Sequence, residues 1–140
     1  MYSEPDAVQL IACLAYRDAR AAIAWLKGAF GFAEHLVVPG DGDTIEHAQL
    51  TLGPTMIMLG SEKEGGIGMR SPKSLRGITQ SVYLIVRDDD MVDAIHERAT
   101  SAGAETVVAP ADQDYGGRLC ALKDPEGNIW SFGSYNPWVG

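Results

Sequence analysis

Basic residues are scarce in this chain. Eleven Lys and Arg stand against nineteen Asp and Glu, a net charge of −8 with a pI near 4.7. Nucleic acid and anionic membrane surfaces are held by clustered Lys and Arg, so neither is an expected partner. Cysteine is nearly absent as well. Cys13 and Cys120 each sit inside an apolar run and are too few for a disulfide framework. They read as buried thiols in a reducing compartment, a reactive thiol being the alternative. No apolar run approaches the roughly 18 residues of a membrane span. The opening Met1-Tyr2-Ser3-Glu4-Pro5-Asp6 is polar and acidic, so no signal peptide is expected and the cytoplasm is the expected location. At 140 residues the chain suits one domain, able to bury roughly 70% of the surface its unfolded form exposes.

What is present is a repeated pattern. Val8 to Ala15 is an apolar run that reads as a buried strand. Asp18 can cap a helix that Gly31 stops, with Ala22, Ile23, Leu26, Ala29 and Phe30 on its apolar face and Trp25 beside it. Glu34 to Val38 is a short strand, and 39–43 is a turn. Thr44 to Leu52 and Thr55 to Leu59 form a hairpin around Gly53-Pro54. The second half repeats the order. Ser81 to Val86 is a strand. A helix runs from about Asp90 to Ala102, with Met91, Ile95, Ala99 and Ala102 on one face, and ends at Gly103. Strands follow at 105–109, 118–123 and 129–135, the last two around Asp124-Pro125-Glu126-Gly127-Asn128. Arg17-Asp18 recurs as Arg87-Asp88. A period near 70 residues is too long for a solenoid, so one βαβββ module is duplicated, with halves at about 6–60 and 78–136. The connector, residues 61–77, is rich in Gly and Ser. It carries Lys63, Arg70, Lys73 and Arg76 against Glu62 and Glu64, and reads as a solvated linker or as a flap over a cleft.

Three stretches carry a family resemblance. They are Arg17 to Phe32, then Glu46-His47-Ala48-Gln49-Leu50 before Gly53, and Lys123-Asp124-Pro125-Glu126-Gly127-Asn128-Ile129-Trp130-Ser131-Phe132-Gly133. In order and spacing the chain resembles the glyoxalase/bleomycin-resistance/dioxygenase (vicinal oxygen chelate) superfamily, and looks closest to its PhnB-like branch. The resemblance implies an α+β fold of two tandem βαβββ modules, a curled eight-stranded sheet around a cleft. It also implies a homodimer.

Metal-using members of that superfamily place ligands on the first, fourth, fifth and eighth strands. Carried onto this chain, the positions fall on Ile11, Met58 (or Met56), Ser81 and Ser131. Zinc, nickel and iron(II) need imidazole or carboxylate there, and none of these residues supplies either. No metal or other cofactor is therefore expected, and neither glyoxalase I nor extradiol dioxygenase activity. His35 and His96 stand apart from other ligands, and His96 is expected to face solvent. Asp88, Asp89 and Asp90 suit a helix start and lack the pattern of a calcium loop.

Strand alternation then assigns the inner face. It takes His47, Gln49 and Thr51, Ile11 and Cys13, Met56 and Met58, Ser81 and Tyr83, and Ile129 and Ser131. Trp130 and Phe132, of opposite parity, go to the core. Apolar walls with a few polar groups suit a small organic ligand. His47 is the candidate acid, base or ligand contact, a structural histidine being the plainer reading. Tyr83 could stack on a flat ligand. Arg118 could meet an anion or form a surface ion pair. The expected function is a metal-free, drug-sequestering binding protein. The alternatives are a lyase, isomerase or dioxygenase-like enzyme using His47 or a non-standard metal site, and a regulatory module whose partner is another protein.

Overall fold

The computed structural model describes residues 7–139. The first half contains β1 (Ala12–Tyr16), α1 (Ala19–Phe30), β2 (Ala33–Pro39), β3 (Ile45–Leu52) and β4 (Thr55–Ser61). A short helix, α2 (Pro72–Leu75), lies in the connector. The second half contains β5 (Val82–Ile85), α3 (Asp89–Ser101), β6 (Glu105–Asp112), β7 (Arg118–Lys123) and β8 (Ile129–Gly133). Each half is a βαβββ module with its own four-stranded sheet, ordered β1-β4-β3-β2 and β5-β8-β7-β6. The first strand of each module lies parallel to its fourth, and the other pairs are antiparallel.

Local chemistry explains where the helices begin and end. The Asp18 carboxylate accepts from the Ala21 N–H at 3.1 Å, and Gly31, at φ 87°, closes α1 in the left-handed region open to glycine. Asp88 caps α3 in the same way through Met91 N at 2.9 Å, with Asp89 and Asp90 in the positive first turn.

One core joins the two modules. On β3, Ala48 and Leu50 are buried as alternation requires, while His47, Gln49 and Thr51 of the same strand are only half-buried. Trp130, Phe132, Cys120 and Leu122 are buried from the second sheet. The Phe30 ring at the end of α1 lies 4.9 Å from Phe132 and 5.5 Å from Trp130. Burying each such side chain stabilises by about 1.5–3 kcal/mol. Trp25 Nε1 donates to Ala102 O at 2.8 Å, and Arg98 Nε donates to Gly28 O at 2.9 Å, so each helix closes the other's end.

The turn between β7 and β8 is the second joint. Asp124, 4% exposed, accepts five hydrogen bonds. Its Oδ1 takes the N–H groups of Glu126, Gly127 and Asn128, all at 3.0 Å. Its Oδ2 takes Tyr16 Oη at 2.7 Å and Trp130 Nε1 at 3.0 Å. Glu126 then receives the backbone N–H groups of Arg17 at 2.6 Å and Asp18 at 2.8 Å. The Asp-Pro-Glu-Gly turn of the second module thus grips the strand-to-helix junction of the first. Burial, followed by the Asp124 charge, raises the Tyr16 phenol well above its ordinary pKa.

Several expectations need correction. The first strand starts at Ala12, and Val8 and Leu10 are 84% and 98% exposed. In register, Ala12 faces Ile57, so Leu10 would meet Thr55, where β4 begins and the ladder runs out. On α3 the buried residues are Val92 and Ala99. Ala102 is the exposed C-cap, and Met91 and Ile95 are only partly buried. His96 is half-buried, its Nε2 2.9 Å from Thr106 Oγ1 on β6. Cys13 is exposed, because its strand parity turns it away from the helices, and Cys120 is buried. The connector is anchored: Ser71 is fully buried and caps α2, and Glu62 accepts from Ser71 N at 2.8 Å and Ser74 Oγ at 2.7 Å.

Candidate functional site

The inner-face residues fall into two groups, one on each sheet. On the first sheet Cys13, Met58 and Gln49 stand side by side across β1, β4 and β3, with Leu36 of β2 completing the row. Thr51 lies opposite Met56, and His47 opposite Val38. His47 and Gln49, two residues apart on one strand face, are 3.1 Å apart between Nε2 atoms. With the amide nitrogen as donor, His47 accepts at Nε2 and keeps its proton on Nδ1. That is a half-buried histidine bonded to its neighbour on the same strand, with no carboxylate at its ring among the described residues. His35 is exposed on β2.

On the second sheet Tyr83, Ser131 and Ala121 form the corresponding row across β5, β8 and β7. Tyr83 is 40% exposed. Its hydroxyl donates to Tyr135 O at 2.6 Å, and its ring lies over Gly133, where a Cβ would stand 2.9 Å from ring carbons. That close approach is why position 133 is glycine. Arg118 is occupied. Its Nε and Nη1 meet Asp93 at 3.0 Å and Asp112 at 3.1 Å. The surface ion pair, one of the two readings of this residue, is what forms.

A cavity of about 480 Å³ lies where the two modules meet. Ile11, Cys13 and Leu14 from β1 and its approach form one wall. Gln80, Ser81 and Val82 at the start of β5 form another. Asn128 and Ile129 stand between them, and Met69, Arg70 and Leu75 of the connector close a third side. Of the residues singled out from sequence, Ser81, Ile11, Cys13 and Ile129 line this space. His47, Gln49, Met56, Met58, Tyr83, Ser131 and Arg118 do not. Sequence reasoning misses the contribution of Asn128, whereas a place for the connector beside a cleft is one of its two readings of residues 61–77. The local excess of cations in residues 61–77 is a further signal for the connector.

The donor set does not fit a transition metal. Ile11 and Ser81 share the cavity, Met58 lies on the other sheet from Ser131, and none offers an imidazole or carboxylate. Among the described residues no three His, Cys, Asp or Glu side chains are gathered to hold an ion. The buried Cys120 thiol is pushed up to about 11 by desolvation and by Asp93, which keeps it protonated and inert at neutral pH. No helix among the described residues is long and apolar enough to cross a membrane.

Comparison with known proteins places this geometry. The family model of the Glyoxalase/Bleomycin resistance protein/Dioxygenase superfamily matches residues 8–132. An uncharacterized protein of Mycobacterium tuberculosis, Rv0887c, is 37% identical over 118 residues, 83% of this chain and 68% of that one. TioX from Micromonospora sp. ML1 superposes with a TM-score of 0.70 at 30% identity, over 93% of this chain and 100% of that one. FosX of Listeria monocytogenes is a fosfomycin resistance protein whose structure (an E126Q mutant in that protein's own numbering) holds Mn(II) and 1S,2S-dihydroxypropylphosphonic acid. It shares the fold alone, with a TM-score of 0.65 at 13% identity over 91% of this chain and 89% of that one.

Proposed function

The chain belongs to the glyoxalase/bleomycin resistance protein/dioxygenase superfamily, and within it we propose a small-molecule-binding protein that sequesters an organic, drug-like ligand without a resident metal. One observation carries the reading. Where metal-using relatives would place ligands, Ile11 and Ser81 instead line a roomy cavity of about 480 Å³ with mixed polarity and, among the described residues, no chelating set. Pockets of about 300–1,000 Å³ with apolar walls and a few polar groups are the usual form of organic-ligand sites. The His47-Ala48 pair on β3 supports the PhnB-like branch.

The test has two arms. Protein purified without chelators is analysed for metal by plasma mass spectrometry, and substoichiometric Fe, Ni, Zn and Mn are expected. Thermal shift and calorimetry across drugs and metabolites are expected to find saturable binding, worth about 2.7 kcal/mol of added stability at a hundredfold excess over Kd. A stoichiometric transition metal, or no saturable ligand, overturns the reading. His47 is the residue through which an enzyme would work. Loss of a detected turnover in His47→Ala, with the fold intact, would establish that alternative.

The homodimer belongs to the same proposal. The inner face of the first sheet leaves Leu36 and Val38 exposed, and that of the second leaves Tyr83 and Ile85 exposed. Apolar sheet faces of this kind are covered in stable proteins. Light scattering is expected to give twice the 15.0 kDa chain mass. A monomer at micromolar concentration refutes the dimer. Both cysteines are unpaired in the structure, which suits a cytoplasmic setting.

A further inference from the structure

We infer that the cavity between the modules takes an amphipathic organic anion, with its carboxylate or equivalent acid at Arg70 and its apolar body between β1 and β5. The inference rests on the ligand-binding reading and names the class of ligand. In a chain of net charge −8, an unselective surface would favour cations. The cavity does the opposite. Among the described residues no Asp or Glu lines it, and the one charged lining residue is Arg70.

Arg70 is half-buried and carries no carboxylate partner among the described residues. Its Nη1 donates to Lys63 O at 2.7 Å and to Met69 O at 2.9 Å, which fixes the side chain against its own loop. Nε and Nη2 make no hydrogen bond among the described residues. A planar guanidinium held by one nitrogen and open at the others suits a two-point contact with a carboxylate. Arg17, Arg87 and Arg118, by contrast, each face a carboxylate.

Two further observations agree. Residues 61–77 carry Lys63, Arg70, Lys73 and Arg76 against Glu62 and Glu64, four positive less two negative, a local charge of +2. This segment forms one wall of the cavity; Lys63 is paired with Glu46, and Arg70 is the cation of the segment that lines the space. Ile11 and Leu14 on one side and Val82 and Ile129 on the other give the cavity its apolar surface, beside the neutral polar side chains of Thr79, Gln80 and Ser81. The Asn128 amide, 8% exposed, is a second polar feature of the lining, and its Nδ2 has no hydrogen-bond partner among the described residues.

Octanoate, octanol and octylamine test the charge preference at constant shape, read by calorimetry and by amide chemical shifts at pH 7. Octanoate is expected to bind at least tenfold tighter than octanol, octylamine is expected not to bind, and the shifts are expected at Ile11, Ser81 and Ile129. Arg70→Met should weaken octanoate on the order of tenfold to a hundredfold, as loss of a charge-assisted contact predicts, and leave octanol unchanged. Arg70→Lys should recover part of the loss. Ser81→Phe, placed at an exposed position lining the cavity, should abolish binding of both octanoate and octanol without changing the melting temperature, which covers the case in which Arg70→Met loosens the connector. Octanol binding as tightly as octanoate, with shifts in the cavity, overturns the anion preference and leaves the binding protein standing. Octylamine binding in the cavity overturns the preference too. Silence from all three probes overturns this inference, while a saturable ligand from the broader screen would still uphold the parent reading.

Discussion

Replacing Asp124 with alanine tests how the two modules are held together. The substitution removes the acceptor of five hydrogen bonds. The N–H groups of Glu126 and Gly127 sit in a half-buried turn and can turn to water. Tyr16 Oη, Trp130 Nε1 and the Asn128 N–H are buried and cannot. Each buried orphan costs about 1–3 kcal/mol. The three share one carboxylate, so their costs do not add, and removing the carboxylate relieves its own desolvation. The net expectation is about 3–5 kcal/mol, from three neutral buried donors orphaned together. With an unfolding entropy of about 2.1 cal/mol/K per residue, each kcal/mol moves Tm by about 3 °C in a chain of this size, a fall of about 10–15 °C. Asp124→Asn keeps Oδ1 for the turn but aims an amide N–H₂ at the Trp130 N–H, and should cost about 2 kcal/mol. Tyr16→Phe deletes one bond and should cost about 1 kcal/mol. Near-ultraviolet circular dichroism, sensitive to Trp130, follows all three melts. An Asp124→Ala Tm within about 3 °C of the parent, or a Tyr16→Phe loss as large as that of Asp124→Ala, would refute the assignment of Asp124 as the hub.

Other outcomes follow from groups away from the cavity. Cys120 is raised from 9.0 to about 11, and a raised acid holds its proton more tightly folded than unfolded. Its contribution is therefore complete below about pH 9 and lost as pH rises to about 11, on the order of 2–3 kcal/mol in all. Urea melts from about pH 8 to about pH 11 check this, and Cys120→Ala should show a flatter slope over that window. Glu62 is lowered first by the Ser71 backbone N–H, so its hold on the connector is present above the ordinary carboxylate range and lost as pH falls below it. Limited proteolysis near Gly65 and Gly66 should quicken in Glu62→Gln at neutral pH, and in the parent only on acidification. Equal cleavage rates at neutral pH would count against the anchor. Gly133→Ala, whose Cβ would press on the Tyr83 ring, should cost about 1–3 kcal/mol. Fluorescence-detected melts measure it, and Tyr83→Ala in the same chain should restore most of the loss.

Features that depend on neighbours along the chain are legible in the sequence itself. Asp18 and Asp88 cap helices because a carboxylate three residues before a free N–H can reach it without tertiary help. Gly31 ends α1 because a left-handed residue must follow it. Alternation sorts Ala48 and Leu50 from His47 and Gln49, and places Trp130 and Phe132 in the core, because successive strand residues face opposite ways wherever the strand lies. The two-module α+β plan follows from the same local signals, repeated. Other features depend on what stands across space, and only the tertiary structure decided them. β1 begins at Ala12, opposite Ile57 and within two residues of the end of β4, which no property of Val8 or Leu10 reveals. Cys13 is exposed and Val92 buried because a face is interior only where another element covers it. The polar residues assigned to one concavity are divided between two sheets, since parity fixes the face of a strand but not which faces meet. The cavity itself is made by segments more than fifty residues apart, Ile11 and Arg70 among them. Its charge preference belongs to that meeting of chains and to no stretch of sequence alone.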